Sequence, residues 1–394
     1  MDSGCAIIPS VKHLYIHVPF CQRRCSYCDF SIAVRKRIPA REYVEAVLGE
    51  LAAVRAADPG REPGDYGGES LETIYLGGGT PSLLPPEAIS ALLTSLRDAF
   101  HVTPSRDDVE VTLEANPEDV TLDHATAWRH AGINRVSLGA QSFDDRVLKW
   151  MHRLHDASRI GDAVQTLRAA AFDNISLDLI FALPSELERD WARDLDLAGD
   201  LLPAHLSLYG LTVEQRTPLA QWISRGATAV ADDDRYAEEY LLAHMRLAAY
   251  GYHFYEVSNA ARGGRRSRHN SAYWSGRAYL GLGPAAHSFD GRVRRWNRSA
   301  WEGYRRAVSA GLPAVEAEEV LTEEQSELES LYLALRTDAG VPLAALGRPL
   351  PPSAARWVDQ GWADVVNQRL VCRPEGWLRL DALIRDLTGV GRAS

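Results

Sequence analysis

Cysteine is scarce in this chain. Five occur in 394 residues, a sparse and odd number, so a disulfide framework is not expected to organise the fold. Long apolar runs are missing too, and none reaches the roughly 20 residues that a membrane-crossing helix needs. The opening stretch, MDSGCAIIPSVKHLYIHV, has neither a basic n-region nor a long apolar segment, so it is not expected to be a secretory leader. These absences point to a cytoplasmic protein. Positive charge is also in deficit. Forty-three Lys and Arg stand against 53 Asp and Glu, a net charge of −10, which weighs against nucleic acid as a partner. The exception is residues 261–277, with five arginines and no acid. That patch suits either an acidic substrate or a solvated loop.

Three of the five cysteines are concentrated in one stretch. HVPFCQRRCSYCDF, from His17 to Phe30, holds Cys21, Cys25 and Cys28 spaced C-x3-C-x2-C, with Tyr27 before the third. Thiolates at this spacing can converge on one iron–sulfur cube. Three ligands on a four-iron cluster leave one iron open to a small molecule. Free thiols in a reducing cytosol remain an alternative, as does a structural zinc with His17 as a fourth donor. Cys5 and Cys372 lie far away in sequence and need no role.

From Lys12 to Tyr209, six strand-like runs alternate with amphipathic helical ones. The strands are expected at 12–18, 71–76, 109–113, 133–138, 175–180 and 205–209. Helices are expected at 38–58, 86–100, 121–131, 156–171 and 187–202, with Pro59–Ser70 a loop. Such alternation implies a parallel sheet with helices outside it. Six units fall short of the eight that close a barrel, so the fold class is α/β, a partial (β/α)6 TIM-like barrel. Chemistry-bearing residues follow the strand ends: the cysteines, GGGTP at Gly77–Pro81, Glu114, Gln141 and Asp178. The C-terminal edge of a parallel sheet is where sites are built. Residues 1–210 therefore form the first unit, and 211–308 an α+β extension. Residues 309–394 begin as an acidic connector and continue as a small helical, winged-helix-like domain whose hairpin pairs Leu370–Cys372 with Trp377–Leu380.

The cysteine loop resembles the signature of the radical S-adenosylmethionine (SAM) superfamily. GGGTP, LEANP, NRVSLGAQSF, LDLIFALP, HNSAYW and GLGPAAHS extend the likeness to its oxygen-independent coproporphyrinogen III oxidase-like group, and within that to the HemW-like haem chaperone branch. The resemblance implies a [4Fe–4S] cluster on Cys21, Cys25 and Cys28, with SAM on the open iron. Gly77, Gly78, Gly79 and Thr80 would line the methionine end of SAM. Glu114 would accept from the ribose hydroxyls, and Arg153 would face the carboxylate. Tyr15, Tyr27, Gln141 and Asp178 would complete the cofactor wall. His269, in HNSAYW, matches a motif associated with haem binding.

The chain departs from the oxidases in two ways. Phe30 stands where they continue to a fourth cysteine, and only about eleven residues precede the first strand. On that ground coproporphyrinogen III oxidase activity is not expected here, whereas SAM cleavage remains open. The leading expectation is a haem chaperone, with haem, recipient haemoproteins (membrane-associated respiratory ones among them) and an electron donor as partners. A homodimer and peripheral membrane association suit this reading. The alternative is a radical SAM enzyme acting on a small molecule, a methyltransferase ahead of an oxidase. A structural zinc protein ranks third.

Overall fold

The computed structural model describes residues 11–56, 71–102, 109–347 and 350–388. Cys5 and the expected loop Pro59–Ser70 lie outside them. Six strands form the parallel centre: β1 (His13–Val18), β2 (Thr73–Gly78), β3 (Glu110–Ala115), β4 (Arg135–Gln141), β5 (Ile175–Phe181) and β6 (His205–Gly210). They pair in sequence order, as right-handed βαβ connections place neighbours side by side. Helices Ala40–Ala56, Pro86–Ala99, Leu122–Ala131, Ala157–Ala169 and Trp191–Asp200 alternate with them. The chain is thus a mixed α/β partial barrel with added helical and strand elements.

Two kinds of residue alternate along the strands. Leu14, Ile16 and Val18, Ile74 and Leu76, Val111 and Leu113, Val136 and Leu138, Leu177 and Leu179, and Leu206 and Leu208 are all buried in one apolar core with the helices. Burying such side chains is worth roughly 1.5–3 kcal/mol apiece. The intervening positions are polar: His13, Tyr15, His17, Thr73, Tyr75, Thr112, Glu114, Arg135, Ser137, Ser176, Asp178, His205 and Ser207. They bond to one another across strands. His13 meets Thr73 at 3.0 Å, Tyr75 meets Glu114 at 2.8 Å, and Ser176 meets His205 at 2.8 Å. The period of two thus puts a greasy face against the helices and a hydrogen-bonded polar face inside the barrel.

The sheet is wider than the sequence pattern indicates, with nine strands. Leu280–Leu282 adds in parallel beyond β1, Leu14 opposite Leu280. At the other end Asn259–Ala261 pairs antiparallel with β6, and His253–Phe254 follows it. Strands from 211–308 therefore extend both edges of the barrel sheet.

Two expectations are corrected downstream. The acidic connector contains a strand, Val315–Val320, paired with Val293–Asn297. Its acids face arginines across the ladder, Glu318 on Arg295 at 3.1 Å and Glu319 on Arg294 at 3.8 Å. The C-terminal hairpin joins Ala363–Val366 to Arg369–Cys372, while Pro374–Trp377 is a helical turn. Pro374 has no N–H for a ladder but suits the first turn of a helix.

Candidate functional site

The cysteine loop is pinned at several points. Phe20–Cys21 pairs in parallel with Ala33–Val34 and closes the loop at its base. Ser26 N–H donates to Met151 O at 3.2 Å, and Leu219 N–H donates to Ser26 O at 2.9 Å. Val147, Met151, Ile180 and Leu183 form a small apolar cluster, against which Tyr27 and Leu211 pack. This cluster shields one side of the loop from water. Cys21, Cys25 and Cys28 are free thiols that share one cavity wall. Burial pushes the Cys28 thiol up to about 11, and Cys25 and Cys21 add to that rise. Burial likewise raises Cys21, against the hydrogen bond that Thr80 donates to its sulfur at 3.4 Å.

The GGGT run fits against this loop because its glycines have no side chains. A Cβ on Gly79 would lie 2.7 Å from Phe20 O and 2.9 Å from Pro19 C. Gly78 has φ +112°, and a Cβ there would lie 2.6 Å from the His17 ring, so both its conformation and its space require glycine. Thr80 N–H then donates to Phe20 O at 2.8 Å. The close approach brings Thr80 to Cys21 and turns the Gly78 N–H onto Glu114 Oε2 at 3.0 Å.

A cavity of about 450 Å³ opens at the C-terminal edge of the strands. The three cysteines, Tyr27, Gly78, Gly79, Thr80, Glu114, Gln141, Arg153 and Asp178 all line it. Glu114 accepts from Tyr75 OH at 2.8 Å as well as from Gly78. It sits deep in the barrel but faces the cavity, and burial raises its carboxyl to about 7, with Asp178 adding to the rise. Asp178 accepts from Ser137 at 3.1 Å, and burial raises it too. Gln141 has φ +66° at an irregularity between β4 and β5. Such a bulge re-aims a side chain, here toward the cavity. The Arg153 guanidinium donates to Asn116 Oδ1 at 2.5 Å, to Gly139 O at 2.9 Å and to Cys25 Sγ at 3.6 Å. It therefore stands as a fixed cation beside the cysteines.

Three expected residues are not on this wall. Gly77 packs behind it, where a Cβ would lie 2.8 Å from Tyr75 and 3.1 Å from Glu114. Tyr15 lines a neighbouring cavity and bonds His17 Nδ1 at 3.1 Å. His269 lies on the helix Arg268–Trp274 with its ring turned inward, 1% exposed. One ring nitrogen meets Thr73 at 2.6 Å and the other meets Tyr273 OH at 2.8 Å. The ring also stacks on Tyr75, centroids 5.1 Å apart. As folded, His269 supports a wall and offers no free nitrogen to haem. Sequence reading missed Tyr75, Asn116 and Tyr209 on this wall and the buried Arg135 behind it. Of these, Tyr75, Arg135 and Tyr209 fall on the polar register of their strands, and Asn116 follows Glu114 by two.

The comparisons with known proteins agree with this geometry. A family model described as the radical SAM superfamily matches residues 15–198. The haem chaperone HemW of Mycobacterium tuberculosis is 37% identical over 381 residues, 95% of this chain and 94% of that protein. The chain belongs to the radical SAM superfamily, in close kinship with HemW-like proteins. HemW of Bacillus subtilis is 35% identical over 332 residues, 84% of this chain and 85% of its own length. Among solved structures, the coproporphyrinogen III oxidase HemN of Escherichia coli, a radical SAM enzyme, superposes with TM-score 0.78 at 21% identity. The match covers 96% of this chain and 91% of that one.

That last match corrects one expectation. Phe30 in place of a fourth cysteine and the short stretch before the first strand are the grounds on which coproporphyrinogen III oxidase activity is not expected. The chain nevertheless takes the fold of such an oxidase across nearly its whole length. Those departures therefore do not exclude the activity, and the expectation does not stand.

Membership of the superfamily implies an iron–sulfur cluster and SAM. Among the described residues no three His, Cys, Asp or Glu side chains surround a single point as one metal ion would need. A cube makes a different demand, since each thiolate binds its own iron. Three free thiols on one wall, with Arg153 and Thr80 reaching the sulfurs of Cys25 and Cys21, are a donor set that fits it. No helix among the described residues is long and apolar enough to cross a membrane.

Proposed function

We propose that this chain binds haem and delivers it to apoproteins from a barrel that also holds a [4Fe–4S] cluster and SAM. The supporting observation is likeness over 95% of the chain to a protein named as a haem chaperone. Cys21, Cys25 and Cys28 would hold the cluster, and the amino and carboxylate groups of SAM would bind beside them. When bound, the cluster supplies an electron to the SAM sulfonium. The chain's own residues do the rest. Thr80 and Arg153 donate to cysteine sulfurs, and Arg153 also balances the SAM carboxylate. Gly78 and Gly79 let backbone approach the methionine end, and Glu114 accepts from the ribose. Gln141 and Asp178 close the polar wall, while Tyr27 and its apolar neighbours exclude water.

Recipient haemoproteins, including membrane-associated respiratory ones, are the partners in this reading. An electron donor joins them where SAM is cleaved. The chain works from the cytoplasm as a homodimer, reaching the membrane peripherally. The test is a haem titration of anaerobically purified, cluster-reconstituted protein, followed by transfer to an apo-haemoprotein. Saturable one-to-one binding with transfer is expected. Haem uptake that never saturates overturns the reading.

A second reading, a radical SAM enzyme acting on a small molecule, is favoured by the cavity itself. Beyond the residues assigned to SAM it is lined by Tyr209, Thr212 and Glu214, polar groups able to meet a substrate. Formation of a substrate-derived product along with 5′-deoxyadenosine, with coproporphyrinogen III among the compounds tried, distinguishes it.

A further inference from the structure

Two turns at the rim of the main cavity carry strained backbone. Gln141 closes β4 with φ +66°, and Ala182, just beyond β5, has φ +57°. An L residue in the left-handed region is unfavourable, and it persists where the surrounding structure over-determines it. Both turns shape the cavity, because Gln141 and Ile180 line it. The two strands are neighbours, with Gln141 opposite Leu179. The Gln141 amide lies close over Gly139, where a Cβ would stand 2.8 Å from its Nε2.

A buried group of charges behind the wall holds both turns. Asp194 lies in the first turn of the helix Trp191–Asp200. One of its oxygens accepts from Ser142 Oγ at 2.7 Å and the other from Phe143 N–H at 3.0 Å. Ser142 and Phe143 are the two residues that follow Gln141. Arg189 lies 3.6 Å from Asp194. Its guanidinium donates to Ile180 O at 2.9 Å and to Glu239 Oε2 at 2.6 Å. Glu239, on the helix Asp233–Ala249, also accepts from Ala182 N–H at 2.7 Å and from Arg235 Nε at 3.1 Å. One acid thus takes the end of β4, a second takes the end of β5, and Arg189 joins them.

The Arg189 side chain is fully buried, and those of Asp194 and Glu239 are nearly so. Such a cluster is a weak source of stability, because apolar side chains of the same volume often do as well. What it supplies is direction. It presents fixed acceptors to the Phe143 and Ala182 N–H groups, at the two places where the chain turns against its preference. Arg189 is itself locked in place, stacked 4.5 Å over the Trp191 ring, whose Nε1 donates to Glu239 O at 2.8 Å. The helix Asp233–Ala249 comes from outside the six β/α units, so the extension reaches back to hold the barrel's rim.

We infer that Asp194 is the positioning residue for Gln141, and that Arg189 and Glu239 extend the same hold to Ile180 and Ala182. Asp194 acts from behind the wall: it sets the direction in which Gln141 presents its amide to SAM. The inference rests on the reading of this cavity as the SAM site.

The test uses full-length, cluster-reconstituted protein and reads SAM affinity by anaerobic equilibrium dialysis, with iron per chain and melting temperature recorded for each variant. Gln141→Ala should weaken SAM binding roughly fivefold, the worth of one net hydrogen bond. Asp194→Ala should weaken it by a similar factor at the parent's iron content, because the freed turn no longer aims the amide. Asp194→Asn, which keeps an acceptor for the Phe143 N–H, should recover most of the affinity. The deciding variant combines Gln141→Ala with Asp194→Ala, and it should bind SAM no more weakly than Gln141→Ala alone. A general loosening of the fold would instead add the two losses. Additive losses overturn the inference, as does parent-like affinity in Asp194→Ala. Should Asp194→Ala fail to fold, Ser142→Ala takes its place in the cycle. It leaves the charges intact and removes one of the two contacts to Asp194, and its loss of affinity should likewise vanish once Gln141 is Ala. A parent that binds no SAM overturns the reading of the cavity itself, so the two failures are distinct.

Discussion

Replacing Glu114 with Gln probes the carboxylate that faces the cavity. Each of its oxygens already accepts one protein hydrogen bond, from Tyr75 OH at 2.8 Å and from Gly78 N–H at 3.0 Å. Each keeps a lone pair for a ribose hydroxyl. Gln retains one carbonyl acceptor and presents an NH2 where the other oxygen stood. That group cannot accept from Gly78, and it cannot accept from a hydroxyl either. A hydrogen bond to a charged group contributes about 1.5–3 kcal/mol, so the loss corresponds to SAM binding weaker by roughly 10- to 150-fold. The pH dependence has a definite sign. Burial raises Glu114 to about 7, and SAM hydroxyls are best accepted by the ionised form. Parent affinity should therefore fall as pH drops below 7, approaching tenfold per unit, relative to Glu114→Gln, which lacks this titration. Anaerobic equilibrium dialysis with SAM from pH 6 to pH 8 measures both effects. Affinities within twofold of each other at every pH would refute the assignment.

Two further variants test the scaffold. Gly79→Ala places a methyl 2.7 Å from the Phe20 carbonyl. This overpacking should cost about 1–3 kcal/mol and lower iron per chain after reconstitution; full iron content at the parent's melting temperature would contradict the fit. Glu50 is buried on the outer helix and accepts from Gly283 N–H at 2.8 Å, Tyr304 OH at 2.6 Å and Asn297 Nδ2 at 2.5 Å. Burial raises it from 4.5 to about 7. The folded state then holds the proton more tightly than the unfolded one, so stability is lost as pH rises from about 4.5 through 7, by about 3 kcal/mol. Glu50→Gln should flatten that part of the profile in urea unfolding at pH 5.5 and pH 8, and parallel profiles would disprove it.

The barrel is legible in the sequence because its strands and helices alternate with clear punctuation, and because polar residues follow so many strand ends. Cysteine spacing alone marks the cluster loop. What escapes is set by distance in the chain. Leu280–Leu282 is three residues in a glycine-rich run, and only tertiary pairing with β1 makes it a strand. His269 lies among arginines and reads as exposed, yet its neighbours turn outward onto acids of the same chain. Arg265 meets Asp173 at 2.7 Å, Arg266 meets Asp338 at 2.5 Å and Arg277 meets Glu72 at 3.3 Å. The basic patch is thus largely neutralised from within, and the histidine between those arginines points into the barrel. The polar register of β1 to β6 is visible in the sequence as an alternation of polar and apolar residues. It locates Tyr75 and Arg135, which local motifs do not.

Phe30 is 58% exposed, although it follows the cluster cysteines directly. Its ring is part of both cavity walls, so the two chambers share one partition. Any coupling between ligands on either side of a shared partition runs both ways with equal strength. Whatever factor an occupant of the first chamber imposes on affinity in the second, the second occupant returns to the first. An aromatic ring at this position can therefore act as a coupler between two ligands.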